Sequence, residues 1–205
     1  AIPLAKWLAA MWMIAGAKNG ISSYEIHRSL GITQKSAWFM LHRIRLALHA
    51  GSIDKNLFGE IEADETFIGG LSRNMHKSKR AEKIKGTGGK GKAVVFGLLE
   101  RNAEKGKSKV RISHVEDRKK DTLLPIIKEN VETGSLVYTD ELHAYKGLTE
   151  DEYKHAFVNH AEQYVRGNVH TNGMENFWTL LKRSLKGTYV NVEPFHLFRY
   201  LDDQA

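Results

Sequence analysis

The 205-residue chain contains no cysteine, which excludes disulfides and thiolate metal sites. It also lacks any long apolar run. The longest, Trp7 to Ala17, falls well short of the roughly 20 residues needed to cross a bilayer. No signal-peptide pattern opens it. It begins at Ala1 without a methionine, and a fragment of a longer protein is expected. With 41% hydrophobic residues a real core can form, in one domain of moderate size or two small ones.

What the chain does have is an uneven excess of positive charge. The formal net charge is +7. Residues 1–50 carry a net +5, residues 72–92 a net +7, and the remainder −5. Two basic blocks on an acidic remainder suit a polyanion touched at defined places. Basic loops that are simply solvated would give the same totals.

Periodicity organises the chain into a helical start and an α/β remainder. Leu4, Trp7, Leu8, Met11 and Ile14 recur at helical spacing over 4–18. Ser22 followed by Glu25 is a capping box for a second helix running to about Leu30. After Gly31, Thr33 caps a third helix with Ala37, Leu41, Ile44 and Leu48 on its buried face. Helix, short glycine turn, helix is the helix-turn-helix pattern. In that arrangement Gln34, Lys35 and Ser36 face a DNA groove, with Arg43 and Arg45 near phosphates. An ordinary three-helix bundle is the alternative.

From Phe58 the pattern alternates like a strand through Ile68. Further strands are expected over Lys92–Glu100, Lys109–Val115, Leu136–Thr139 and Tyr153–Val158. Helices are expected over Thr122–Val131, with Pro125 in the first turn, and over Gly173–Lys186. This order is that of a ribonuclease-H-like α/β domain: a mixed sheet with flanking helices, here preceded by a small helix-turn-helix unit. The expected boundaries are 1–52 for the DNA-binding unit and 57–205 for the catalytic domain, the latter shortened at its C-terminus.

Three carboxylates draw attention. Asp64 lies in the first strand, Asp140 at the end of the fourth, and Glu175 in the first turn of the last helix. Strand ends of this kind are where sites collect. Acidic groups at a helix start are also favoured structurally, so the case rests on all three together. Hard divalent cations take a few carboxylates plus substrate phosphate oxygens. Two such ions about 4 Å apart can activate water and stabilise a phosphodiester's leaving oxygen.

The segments Ile61-Glu62-Ala63-Asp64-Glu65-Thr66-Phe67-Ile68-Gly69-Gly70, Tyr138-Thr139-Asp140-Glu141-Leu142-His143-Ala144-Tyr145 and His170-Thr171-Asn172-Gly173-Met174-Glu175-Asn176-Phe177-Trp178, with Lys182-Arg183 and Gly187-Thr188-Tyr189, resemble the DDE transposases of a prokaryotic insertion-sequence group. In that group a zinc ribbon and a helix-turn-helix precede an ISXO-like catalytic domain. The resemblance implies metal-dependent strand cleavage and strand transfer at the ends of an insertion sequence. It implies two Mg²⁺ or Mn²⁺ ions, double-stranded DNA as partner (transposon ends and target), a homo-oligomer on DNA, no membrane, and a cytoplasmic, nucleoid-associated protein. Asp64 and Asp140 match the family's two aspartates. The third position allows Asn or Glu, and both Asn172 and Glu175 are present. Glu175 is preferred, since 34 residues separate it from Asp140 and a charged ligand holds a hard cation more strongly. Lys182 follows two helical turns after Glu175, on the same face, and matches the family's basic residue near the transposon end. Two departures stand out: with no cysteine there is no zinc ribbon, so the chain is expected to start after it, and the C-terminus is expected to be cut short.

Other signals are discounted. Gly86-Thr87-Gly88-Gly89-Lys90-Gly91-Lys92 nearly spells a phosphate-binding loop, but Ala93 stands where Ser or Thr would bind Mg²⁺, and a strand follows where a helix is needed. It reads as a basic loop within 72–92, near DNA. No histidine pair has a helical metal-ligand spacing. His170 could approach a phosphate, or be a structural residue at a helix entry. Trp178 and Phe177 read as core, and Glu62, Glu65 and Glu141 as exposed or supporting groups. The rival functions are a metal-dependent nuclease of the same fold without strand transfer, and a catalytically dead DNA-binding relative.

Overall fold

The computed structural model describes residues 1–50, 56–70, 74–83, 91–104, 107–140, 145, 148, 152–158, 169–190 and 192–201. They form two compact units, one of residues 1–55 and 177–205, the other of residues 56–176.

The first unit opens with α1 (Leu4–Gly16), α2 (Ser23–Leu30) and α3 (Gln34–Ala50). The Ser22 hydroxyl accepts from the Glu25 amide, and the Glu25 carboxylate accepts from the Ser22 amide, closing the capping box on α2. These bonds hold the Glu25 carboxyl below its usual pKa. Gly31 ends α2 in the left-handed conformation. Ala10, Ile21, Ile26, Ala37, Met40, Leu41 and Ile44 form the core, with Trp7, Met13 and Ile14 packed against it.

Exposure on α1 and α3 does not follow apolar spacing alone. On α1, Leu4, Leu8 and Met11 point outward, as does Trp12, which is 82% exposed. That helix is apolar nearly all round, so periodicity could not select its buried side. On α3, Arg45 is buried at 1% exposure rather than near the surface, while Leu48 is exposed. Arg43 and Arg45 lie two positions apart and cannot share a helical face. The Arg45 guanidinium sits 4.2 Å from the Tyr200 ring centroid and 5.2 Å from that of Tyr189, and donates to the Tyr189 hydroxyl.

The second unit carries β1 (Glu60–Ile68), α4 (Lys77–Lys83), β2 (Ala93–Glu104), β3 (Lys107–Val115), α5 (Lys120–Asn130), β4 (Leu136–Asp140), β5 (Lys154–Val158) and the start of α6 (Asn172–Ser184). The sheet order is β3-β2-β1-β4-β5. β1, β2 and β3 form an antiparallel meander, and β4 and β5 add in parallel beside β1. This is the ribonuclease-H-like α/β fold. Leu123 and Ile127 of α5 pack onto Ile61, Ala63, Phe96, Leu98 and Val137 from one face of the sheet. Burying each such aliphatic side chain stabilises the fold by about 1.5–3 kcal/mol.

Several boundaries differ from the sequence reading. α4 forms inside the basic segment, while residues 84–90, the bulk of the glycine-rich stretch, lie outside the described residues. β2 runs on to Glu104 through a register shift. α5 begins at Lys120, because Asp117 accepts from the Lys119 amide and the Thr122 hydroxyl. Pro125 is therefore inside the helix rather than in its first turn, and one backbone hydrogen bond is forgone. α6 gives way to a wide π turn over Leu185–Tyr189, followed by a 3₁₀ turn (Pro194–His196) and α7 (Leu197–Leu201). Among the described residues no helix is long and apolar enough to cross a membrane.

Two outcomes test the first unit. Gly20 has φ +75°, and a Cβ there would run into the Tyr189 ring and hydroxyl; Gly31 has φ +59° but open space around it. Gly20→Ala should cost about 1–3 kcal/mol more than Gly31→Ala in urea unfolding, the difference being overpacking. A second outcome concerns His42, which is buried against Trp38. Burial, then the charges of Arg45, His196 and Arg199, bring its pKa down to about 4 from an ordinary 6.5. The unfolded chain binds a proton there that the folded chain does not. Stability is therefore full above about pH 6.5 and falls as pH drops toward 4. The urea midpoint should fall less between pH 7 and pH 4.5 in His42→Phe than in the wild type; equal falls would contradict the assignment.

Candidate metal centre

Parallel pairing sets the geometry of the site. β1 meets β4 with Glu60 opposite Leu136, Ile61 opposite Val137 and Glu62 opposite Tyr138. Two residues further along each strand come Asp64 and Asp140. Side chains alternate between faces, so both aspartates share the face opposite α5. One carboxylate oxygen from each of Asp64, Glu65 and Asp140 lies within 4.8 Å of the others, and all three residues are half-buried.

Glu65 was not expected in this group. As a residue flanking Asp64 it is expected only as a supporting or exposed group, and alternation assigns it to the other face of β1. Near the strand end, the Tyr145 hydroxyl donates to it. Burial raises the Glu65 pKa to about 7; the Tyr145 bond opposes that shift, Asp140 and Asp64 add to it, and Arg118 opposes it. The Arg118 guanidinium is stacked 5.0 Å from the Phe67 ring centroid. Tyr145 ends the second of the resembling segments, but the sequence gives neither it nor Arg118 a role.

The donor set fits a hard divalent cation. Opposite oxygens around one Mg²⁺ are about 4.2 Å apart, and around one Ca²⁺ up to about 5 Å. The three donors are all carboxylate oxygens, and all lie close enough together to share one such ion.

The other sequence-named residues fall in different places. Glu175 is in the first turn of α6 but exposed, and it lies outside the Asp64–Glu65–Asp140 group. Asn172 is exposed at the helix start. His170 is tied into the protein: its Nδ1 and its carbonyl both take Arg101 Nη2, at 2.8 and 2.6 Å. Glu62 is buried at 1% exposure, paired with Arg101 Nε at 2.6 Å. Lys182 is half-buried and Arg183 exposed near the end of α6. Gln34 donates to Ser23, joining α2 to α3; Lys35 is exposed; Arg43 is exposed over the Phe39 ring. Glu141 lies outside the described residues.

The mixed sheet and its paired strand aspartates define the class: a ribonuclease-H-like domain with an acidic centre suited to a divalent cation. Within that class, the family model described as the ISXO2-like transposase domain matches residues 56–205, and the chain belongs to that family of DDE-type transposases, proteins that act on DNA. No curated protein gives a match.

Carboxylates this close repel without a cation, by roughly 3 kcal/mol per charged pair at an effective dielectric of about 20. In metal-free buffer Asp140→Asn should therefore melt at or above the wild-type Tm. Mg²⁺ should raise the Tm of the wild type and not of the variant. Thermal melts with and without MgCl₂ check this, and an equal Mg²⁺ response in both proteins would refute the site.

Proposed function

We propose that the protein catalyses divalent-metal-dependent cleavage and strand transfer at the ends of an insertion sequence. The observation that carries this reading is the meeting of the Asp64 and Asp140 carboxylates, in a chain of the ISXO2-like transposase family. Asp64 and Asp140 hold the cations, Mg²⁺ or Mn²⁺, with Glu175 as third carboxylate and Asn172 as its neighbour at the helix start. When bound, two such ions activate the attacking oxygen and offset charge on the leaving one. The side chains provide ligand oxygens in fixed directions and form no covalent bond to DNA. Water is the nucleophile at the transposon end, and the released 3′-hydroxyl is the nucleophile on target DNA.

Helices α2 and α3 serve as the helix-turn-helix unit, with Lys35 and Arg43 offered to phosphates and Gln34 at the start of α3. Lys182 and Arg183 contact the transposon end, and His170 supports the α6 start. The protein works as a homo-oligomer on DNA. A second assignment of the third ligand is favoured by one specific observation: Glu65 already stands with the two aspartates.

Mg²⁺-dependent cleavage and strand transfer on oligonucleotides carrying the element's ends decide among these. Glu175→Gln should abolish cleavage and leave DNA binding nearly intact, with Asn172→Ala milder. A reversed ranking makes Asn172 the ligand, and loss confined to Glu65→Gln makes it Glu65. Lys182→Ala should weaken end binding and lower its salt dependence by about one phosphate contact. Cleavage without strand transfer would leave a nuclease, and no cleavage under any metal a DNA-binding relative; either outcome removes the proposal.

A further inference from the structure

Glu62 is a buried carboxylate two residues before Asp64, on the same face of β1. Its two oxygens are used by different parts of the chain. Oε1 accepts from Arg101 Nε of β2 at 2.6 Å. Oε2 accepts from the backbone amide of Met174, in the first turn of α6, at 2.8 Å. Arg101 then spreads its remaining donors: Nη2 to the His170 ring and carbonyl, Nη1 to Glu60 at 3.2 Å. Its guanidinium lies 4.3 Å from the Tyr138 ring centroid of β4. One ion pair thus ties together β1, β2, β4 and the chain entering α6.

The fit at the helix start is close. A Cβ on Gly173 would stand 2.8 and 3.0 Å from the two Glu62 oxygens, so a larger residue there would push α6 off the carboxylate. Met174 itself is fully buried.

We propose that Glu62 and Arg101 are positioning residues for the metal centre: they fix the start of α6, and with it Asn172 and Glu175, relative to Asp64. This rests on the assignment of Asn172 or Glu175 as the third ligand. A buried ion pair gives little net stability compared with apolar residues of the same shape, because both charges lose their hydration. What it supplies here is direction. A carboxylate has oxygens enough to hold a helix amide and an arginine at once, and an apolar side chain has none.

The test uses the whole chain, five single variants (Asn172→Ala among them) and the doubles that join Glu62→Gln to Glu175→Gln or Asn172→Ala. Glu62→Gln removes the charge and keeps the shape. Gly173→Ala leaves every charge in place and displaces the helix start. Glu175→Gln and Asp64→Asn report on the metal centre itself. Two readouts are followed: amide hydrogen exchange without metal, and Mn²⁺ binding by electron paramagnetic resonance. Glu62→Gln and Gly173→Ala should both speed exchange at Met174 and Glu175 while leaving Leu123 and Ile127 of α5 protected. Both should weaken Mn²⁺ binding by about tenfold, the range found when supports of metal ligands are removed. Combining Glu62→Gln with Glu175→Gln should give no further loss, because Glu62 acts through the helix that carries Glu175. Unchanged Mn²⁺ affinity, additive losses with both Glu175→Gln and Asn172→Ala, or faster exchange throughout the sheet would each overturn the proposal. Mn²⁺ binding that survives Asp64→Asn would overturn the underlying metal-centre assignment instead.

Discussion

The parallel register of β1 against β4 is the constraint on which the site depends. A strand repeats every two residues, so a slip of one position would turn Asp140 toward α5 and bring Thr139 beside Asp64's face. What prevents the slip is on the other side of the sheet. Ile61, Ala63 and Val137 are fully buried beneath Leu123 and Ile127, and a slip would present Asp140 and Tyr138 to that core instead. Apolar burial on one face therefore holds mutually repelling carboxylates together on the other.

The same logic explains the buried charges beside the site. Glu62 and Arg101 lie on the aspartate face, where a charge must have partners. Each finds several: a backbone amide and a guanidinium for Glu62, and two carboxylates, a carbonyl and two rings for Arg101. Arg45 meets the requirement differently in the helical unit, where the faces of Tyr189 and Tyr200 and the Tyr189 hydroxyl surround it.

Much of this was legible in the sequence because it follows local periods. The alternation of Glu60 to Ile68, the apolar run before Asp140 and the capping box at Ser22 each encode an element within a few residues. The fold class followed from the order of elements. Features that depend on distant partners were not legible. Glu62 was marked only as exposed or supporting, because nothing nearby in sequence announces Arg101 or the Met174 amide. Glu65 joins the aspartates although alternation puts it on the other face of β1, because alternation holds along a strand but says less at its end. Pro125 falls inside the helix because α5 begins at Lys120, ahead of the expected Thr122. The outward side of α1 was unreadable for the opposite reason: apolar residues occur on every side of it.

The meander and the parallel additions also differ in how far apart along the chain their partners stand. β2 meets β3 through a short connection, and β1 meets β2 across the longer segment that holds α4. Joining Glu62 to Tyr138 encloses about twice as much chain as joining Glu62 to Leu99, and the entropic cost of a contact rises slowly with the length of chain it encloses. Contacts of this separation are the slow ones in folding. The edge that brings Asp140 beside Asp64 is therefore set by the burial of Ile61 and Val137 and not by nearness along the chain. Until β4 pairs with it, β1 has an open edge and the two aspartates stand apart.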